Sequence, residues 1–118
     1  MLLDANALMS AARLKVDLAA QLAAVAPGWE AVVPSSVLKE LEGLGGTRHA
    51  RGARALAARF RAVEAAGQGD GAIVAAATGR AGRAVLTNDR ALRRRLRDRG
   101  VPVVYLRGKQ KLDVDGVL

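Results

Sequence analysis

The stretch from Val85 to Leu106, VLTNDRALRRRLRDRGVPVVYL, changes character twice. Its start, with Ala84, is a short apolar run ending at Thr87, which predicts a strand. DRALRRRLRDR (89–99) predicts a helix with Leu92 and Leu96 facing inward and Arg90, Arg93, Arg94 and Arg97 sharing one outward arc. VPVVYL predicts another strand. Strand, helix and strand in that order predict a βαβ unit and hence an α/β fold. At the first junction stand Thr87, Asn88 and Asp89, three small polar residues between an apolar run and a segment carrying six arginines.

Working outward, the same alternation recurs. Met1 to Leu3 is apolar and is ended by Asp4, and a mostly apolar helical stretch follows. GWEAVVPSS (28–36) predicts a second strand ending near Pro34. Val37 to Leu44 is apolar at 37, 38, 41 and 44, a helical period that Gly43, Gly45 and Gly46 break. GLGGTRHARG (43–52) reads as a glycine-rich basic connection. ARALAARFRAVEAA (53–66) predicts an amphipathic helix with Leu56, Phe60 and Val63 on its apolar stripe and Arg51, Arg54 and Arg61 roughly opposite. GDGAIVAAATG (69–79) predicts a helix of small apolar residues packed closely on a sheet, with Asp70 in its first turn. The expectation is one α/β domain over residues 1–118 around a short, mostly parallel sheet, with 107–118 a C-terminal extension whose structure the pattern leaves open.

Composition narrows the functional classes. The 118 residues, 51% hydrophobic, suffice for one compact domain. The absence of cysteine excludes disulfides, thiolate zinc sites and a cysteine nucleophile. Asp4 interrupts the N-terminal apolar run, so neither a secretory segment nor a membrane span is expected there, and the expected location is cytoplasmic with no membrane partner. A net charge of +8 points to a polyanionic partner, nucleic acid first. The charge is clustered: nine of the 19 Lys and Arg residues lie between Arg90 and Lys111, against one acid, Asp98. Trp29, Phe60 and Tyr105, the only aromatics, fall in core or near-core segments, so stacking of bases on exposed rings is not expected. His49, the only histidine, is assigned no chemical role.

The acids fall at element junctions. Asp4 ends the first strand and Asp89 lies just past another, at the sheet edge where open α/β sheets bind ligands. Asp70 opens a helix, and Glu40 lies on the helix after the second strand. Singly, Asp4, Asp70 and Asp89 read as helix caps and Glu40 as a solvated residue. Together they are four of 11 acids at successive junctions. Two carboxylates about 4 Å apart repel by roughly 4 kcal/mol at an effective dielectric of 20, so a cluster requires cations or raised pKa values. Oxygen ligands point to Mg²⁺ or Mn²⁺, and a basic surface beside them points to phosphodiester hydrolysis.

LLDANAL, VVPSSVLKELEGL, GDGAIVAAA and VLTNDRALRRRL, in that order and spacing, resemble the PIN-domain nucleases over nearly the whole chain. The run TNDRALRRRLRDRGVPVVYLRGKQKL is most similar to the branch holding the small-subunit processome nuclease and its small archaeal relatives; the toxin branch typified by VapC usually lacks the YLRG segment. The resemblance implies a PIN-like three-layer α/β/α sandwich. It implies Asp4, Glu40, Asp70 and Asp89 as the metal-binding catalytic set, with Asn6, Thr87 and Asn88 in support; Thr87 and Asn88 would orient Asp89 and cap the helix after it. One departure is Gly71, where the nearest branch tends to carry a second acid.

The function expected is a metal-dependent endoribonuclease acting on ribosomal RNA precursors. The arginines of the 90–97 arc would bind RNA phosphates, extended by Arg107, Lys109 and Lys111 and by Arg51 and Arg54. Two alternatives stand beside it, a VapC-like toxin ribonuclease and a catalytically weak RNA-binding assembly factor. The protein partners to weigh are a second copy in a homodimer, ribosome assembly factors and an antitoxin. A phosphoacceptor receiver domain is disfavoured, because it would want paired acids where this chain has Asp4-Ala5-Asn6.

Overall fold

The computed structural model describes residues 1–79 and 83–118. The elements are β1 (Leu2–Leu3), α1 (Ala5–Leu14), α2 (Leu18–Val25), β2 (Val32–Pro34), α3 (Ser35–Gly43), α4 (Arg48–Ala57), β3 (Arg61–Val63), α5 (Gly69–Thr78), β4 (Val85–Leu86), α6 (Arg90–Asp98), β5 (Val103–Arg107) and β6 (Lys111–Asp115). They form one six-stranded sheet in the order β3-β2-β1-β4-β5-β6. Five strands are parallel, and β6 pairs antiparallel with β5, placing Val104 opposite Val114 and Arg107 opposite Lys111. This is the expected three-layer α/β/α sandwich.

From β1 the chain steps outward to β2 and β3, then returns to β4 and steps the other way to β5. Right-handed crossovers therefore put α1 to α4 on one face and α5 and α6 on the other. The direction reverses between β1 and β4, and at such a point the loops leave the carboxyl ends of neighbouring strands in opposite directions, opening a crevice. Asp4 follows β1 there, and Thr87 to Asp89 follow β4.

Burial explains why such short strands hold. Leu2, Leu3, Val33, Val85, Leu86, Val103 and Val104 are all buried, as expected of a parallel sheet covered on both sides. On α6, Leu92 and Leu96 are fully buried while the intervening arginines are not. Leu96→Ala is expected to cost about 2–5 kcal/mol, through lost transfer energy and a cavity under α6. Urea unfolding measures it, and a cost below about 1 kcal/mol would place Leu96 outside the core. Among the described residues no helix is long and apolar enough to cross a membrane.

Residues 43–66 depart from the sequence expectation. The helix starts at Arg48, inside the predicted connection, because the Thr47 side chain accepts a hydrogen bond from the Ala50 N–H and caps it. It ends at Ala57, and Arg61–Val63 becomes the edge strand β3, paired with β2. The helix buries Ala50, Ala53 and Ala57 rather than a stripe of large residues. It comes so close to α1 that a Cβ on Gly52 would stand 3.3 Å from the Ala12 Cβ. Leu56, Phe60 and Val63 are only partly buried, and Arg61 leaves the helix to pair with Glu30 at 2.6 Å. The apolar stretch after β1 also divides, α1 ending at Lys15 in the left-handed region (φ 55°) and Asp17 capping α2. Residues 107–118 complete β5 and form β6.

Candidate active site

The crevice is organised around Asp4. Asp4 is 6% exposed, with its Oδ1 accepting from the Ala5 N–H at 2.9 Å and its Oδ2 from the Thr87 hydroxyl at 2.7 Å. Thr87 is fully buried, and its oxygen accepts from the Asp89 N–H at 3.1 Å. A hydrogen-bond chain thus runs from the Asp89 backbone through Thr87 to Asp4. Beside it, the Asn6 side-chain oxygen accepts from the Asn88 N–H at 3.1 Å and lies 3.2 Å from the Thr87 hydroxyl. The Asn88 side-chain oxygen accepts from the Leu106 N–H at 2.9 Å, tying the loop to β5. The DAN and TND segments are interlocked across more than 80 residues of sequence.

The other carboxylates reach the site differently. Burial pushes the Asp4 carboxyl up to about 6 from its ordinary 3.8. Its two hydrogen bonds pull the other way, and the charges of Glu40 on α3 and Asp70 on α5 raise it further. The charges of Glu40 and Asp70 thus reach the Asp4 carboxyl. Asp89 joins through its backbone, while its Oδ1 caps α6 by accepting from the Ala91 and Leu92 N–H groups at 2.9 and 3.1 Å. Capping is thus realised at Asp4 and Asp89, and the expected division of labour changes. Asp89 caps α6 itself, Thr87 bonds the side chain of Asp4 but only the backbone of Asp89, and Asn88 anchors the loop to β5. Asp70 sits in the first turn of α5, whose N-cap is Gln68, without a capping bond. Among the described residues, no group of three or more acidic or histidine side chains forms a ready-made metal cage.

Two features escaped the sequence reading. A cleft of about 630 Å³ is lined by Ser36, Lys39, Glu40, Gly67, Gln68 and Gly69, and the buried Ser36 hydroxyl has no hydrogen-bond partner in it. The available signal was spacing, since Ser36 precedes Glu40 by four residues and so shares its helix face. The second is Asp115. It accepts from Arg93 at 2.8 Å and Arg97 at 3.2 Å, so the arginine arc does contain an acid, delivered by β6 from beyond the basic run. Arg93 also lies over the Tyr105 ring, 3.8 Å from its centroid.

The remaining cations divide by what they already touch. Arg90, Arg94, Lys109, Lys111 and Arg51 are exposed. Arg107 pairs with Asp113 at 2.9 Å, and Arg54 donates to the Leu41 and Gly45 carbonyls at 2.9 and 2.8 Å, closing the end of α3.

Residues 1–109 match the family described as PIN like domain, and the chain belongs to that family. It is 33% identical to Ribonuclease VapC9 of Archaeoglobus fulgidus over 121 residues, covering 95% of this chain and 86% of that protein. Among solved structures it is similar to the PIN domain endonuclease Utp24, with a TM-score of 0.84 and 26% identity over 99% of this chain and 91% of that one.

Proposed function

We propose that the protein is a Mg²⁺- or Mn²⁺-dependent endoribonuclease that cuts RNA phosphodiester bonds, working on ribosomal RNA precursors. The carrying observation is the buried Asp4 carboxylate at the β1/β4 crevice, its pKa raised by burial and by the charges of Glu40 and Asp70. The donors suit a hard divalent cation in kind: all are carboxylate oxygens, the charges of Glu40 and Asp70 act on Asp4, and the Ser36 hydroxyl in the Glu40 cleft lacks a partner. Bound there, the ion would supply Lewis acidity at the phosphoryl oxygens and acidify an attacking water. Asp4, Glu40, Asp70 and Asp89 would hold it. Thr87 keeps the Asp4 carboxylate in one orientation, as hydrogen-bonded partners of metal ligands do, and Asn6 and Asn88 hold the loop that carries Thr87. Arg90, Arg93, Arg94 and Arg97 of α6 and the basic turn between β5 and β6 supply contacts to the RNA backbone.

Likeness to a protein named Ribonuclease VapC9 favours a second reading, a toxin ribonuclease held by an antitoxin. Two experiments separate them. Depletion in the native host should accumulate uncut ribosomal RNA precursor under the first reading. Under the second, expression alone should arrest growth, relieved by the product of a small adjacent gene. Binding of RNA without cleavage in Mn²⁺ would leave an assembly factor. Metal dependence has its own readout: Mn²⁺ at a hundredfold excess over Kd should stabilise the protein by about 2.7 kcal/mol. EDTA should abolish both that gain and cleavage, and a thermal midpoint unmoved by Mn²⁺ would sink the metal site.

A further inference from the structure

A cavity of about 390 Å³ opens between α1, α6 and β5, and it shares Thr87 with the carboxylate site. Four arginines line it, Arg13 from the last turn of α1, Arg90 and Arg93 from α6, and Arg107 from β5, and no carboxylate does. Arg13 belongs to no basic cluster in the sequence and gains its neighbours only by folding.

The four are held unequally. Arg93 is held by Asp115 and by the Tyr105 ring, which also lines the cavity, and Arg107 by Asp113. Among the described residues, neither Arg13 nor Arg90 has a carboxylate within ion-pairing distance. The end of α1 favours a cation at Arg13 through the helix dipole. That accounts for one charge, but not for four guanidiniums from three elements meeting at one cavity. Asp115 and Asp113 offset the charges of Arg93 and Arg107, which leaves Arg13 and Arg90 facing a carboxylate-free cavity without a partner among the described residues, an arrangement that an anion between them would stabilise. Planar guanidiniums with several N–H donors match phosphate oxygens.

We propose that this cavity is a phosphate subsite, holding a phosphate of the RNA strand beside the cut, with Arg13 and Arg90 as direct contacts and Arg93 and Arg107 as pre-set walls. The proposal rests on the RNA-cleaving reading above and names where the strand runs: from the carboxylates over Thr87 towards the end of α1. The phosphate has two sources, a backbone phosphodiester or a terminal monoester.

Arg13 is exposed, so Arg13→Gln should fold normally. Arg95, exposed on α6 and outside this cavity, is the control. RNA binding is measured in EDTA, where cleavage cannot interfere, over a range of salt. Arg13→Gln should lower the slope of log K against log salt by about 0.7, as loss of one phosphate contact to a single strand does, and Arg95→Gln should leave it unchanged. The same oligonucleotide with a 5′-phosphate, a 3′-phosphate or hydroxyl ends separates the sources. A loss in all three arms means a backbone phosphate, and a loss confined to one phosphorylated form means that terminus. Inorganic phosphate should raise the thermal midpoint of the wild type more than chloride at matched ionic strength, and Arg13→Gln should remove the difference. If phosphate acts this way but the wild type binds no RNA, the subsite stands and the RNA reading falls. Equal effects of Arg13→Gln and Arg95→Gln, or a phosphate effect indifferent to Arg13, overturn the subsite.

Discussion

Asp4→Asn is expected to abolish cleavage, by several orders of magnitude, while making the metal-free protein more stable at neutral pH. Both follow from one burial. With its pKa at about 6 in the fold and 3.8 as the ordinary value, the Asp4 carboxyl holds its proton more tightly folded than unfolded. The advantage to the fold is complete below about pH 3.8 and is lost as pH rises through about 6. At about pH 7 the charged form therefore costs the fold roughly 3 kcal/mol, at about 1.4 kcal/mol per pKa unit. Asparagine removes that cost and still accepts from the Ala5 N–H, and its amide can donate to the Thr87 oxygen. In EDTA the variant should exceed the wild type in urea unfolding at about pH 8 and lose the difference towards about pH 4. In excess Mn²⁺ the order should reverse, because only the wild type gains the stabilisation of a bound ligand. Wild type and variant of equal stability across that range would show a solvated carboxylate, and undiminished cleavage would remove Asp4 from the chemistry.

The second large effect is expected at Thr87, which carries no charge. Thr87→Val keeps the shape of a fully buried side chain and deletes its hydroxyl. The Asp89 N–H then loses its acceptor and the Asp4 Oδ2 its donor. Leaving such groups unmatched costs about 1–3 kcal/mol. Cleavage should fall about 10–100-fold, the usual effect of losing a hydrogen bond to a metal-holding side chain. Since the Thr87 bond lowers the Asp4 pKa, its loss should move the acid limb of the pH–rate profile to higher pH. Thr87→Ser retains the hydroxyl and should restore the limb. A valine variant with reduced stability but an unmoved limb would make Thr87 a packing residue only.

What could be read from the sequence followed from how locally each feature is encoded. The places of Asp4 and Asp89 past the ends of β1 and β4 are legible because an apolar run ends abruptly at each junction, and two-residue strands suffice when both neighbours are parallel and buried. The fold class followed from the same alternation. Residues 48–63 are not legible from a period of large apolar residues, because α4 meets α1 through alanines and Gly52, which such a period does not reveal. Asp115 was invisible as a partner of Arg93 and Arg97 because the β5–β6 hairpin, not sequence proximity, brings it there. Ser36 is distinguished by a hydroxyl buried without a partner, a property of the folded packing that no sequence pattern carries.

The separation of Asp4 from Thr87 has a consequence during synthesis. β1 lies in the middle of the sheet and pairs with β4, Leu2 opposite Val85 and Leu3 opposite Leu86. Asp4 acquires its hydrogen-bond partner from a residue 83 positions later. At about 5–20 residues per second, Thr87 is made roughly 4–17 s after Asp4. Until then Asp4 is an ordinary solvated carboxylate, Asp89 does not yet exist, and the long loop between β1 and β4 has still to close. A ribosome partway through this protein thus carries a chain in which the crevice around Asp4 is still open, and the site closes only after β4 and Thr87 have been made.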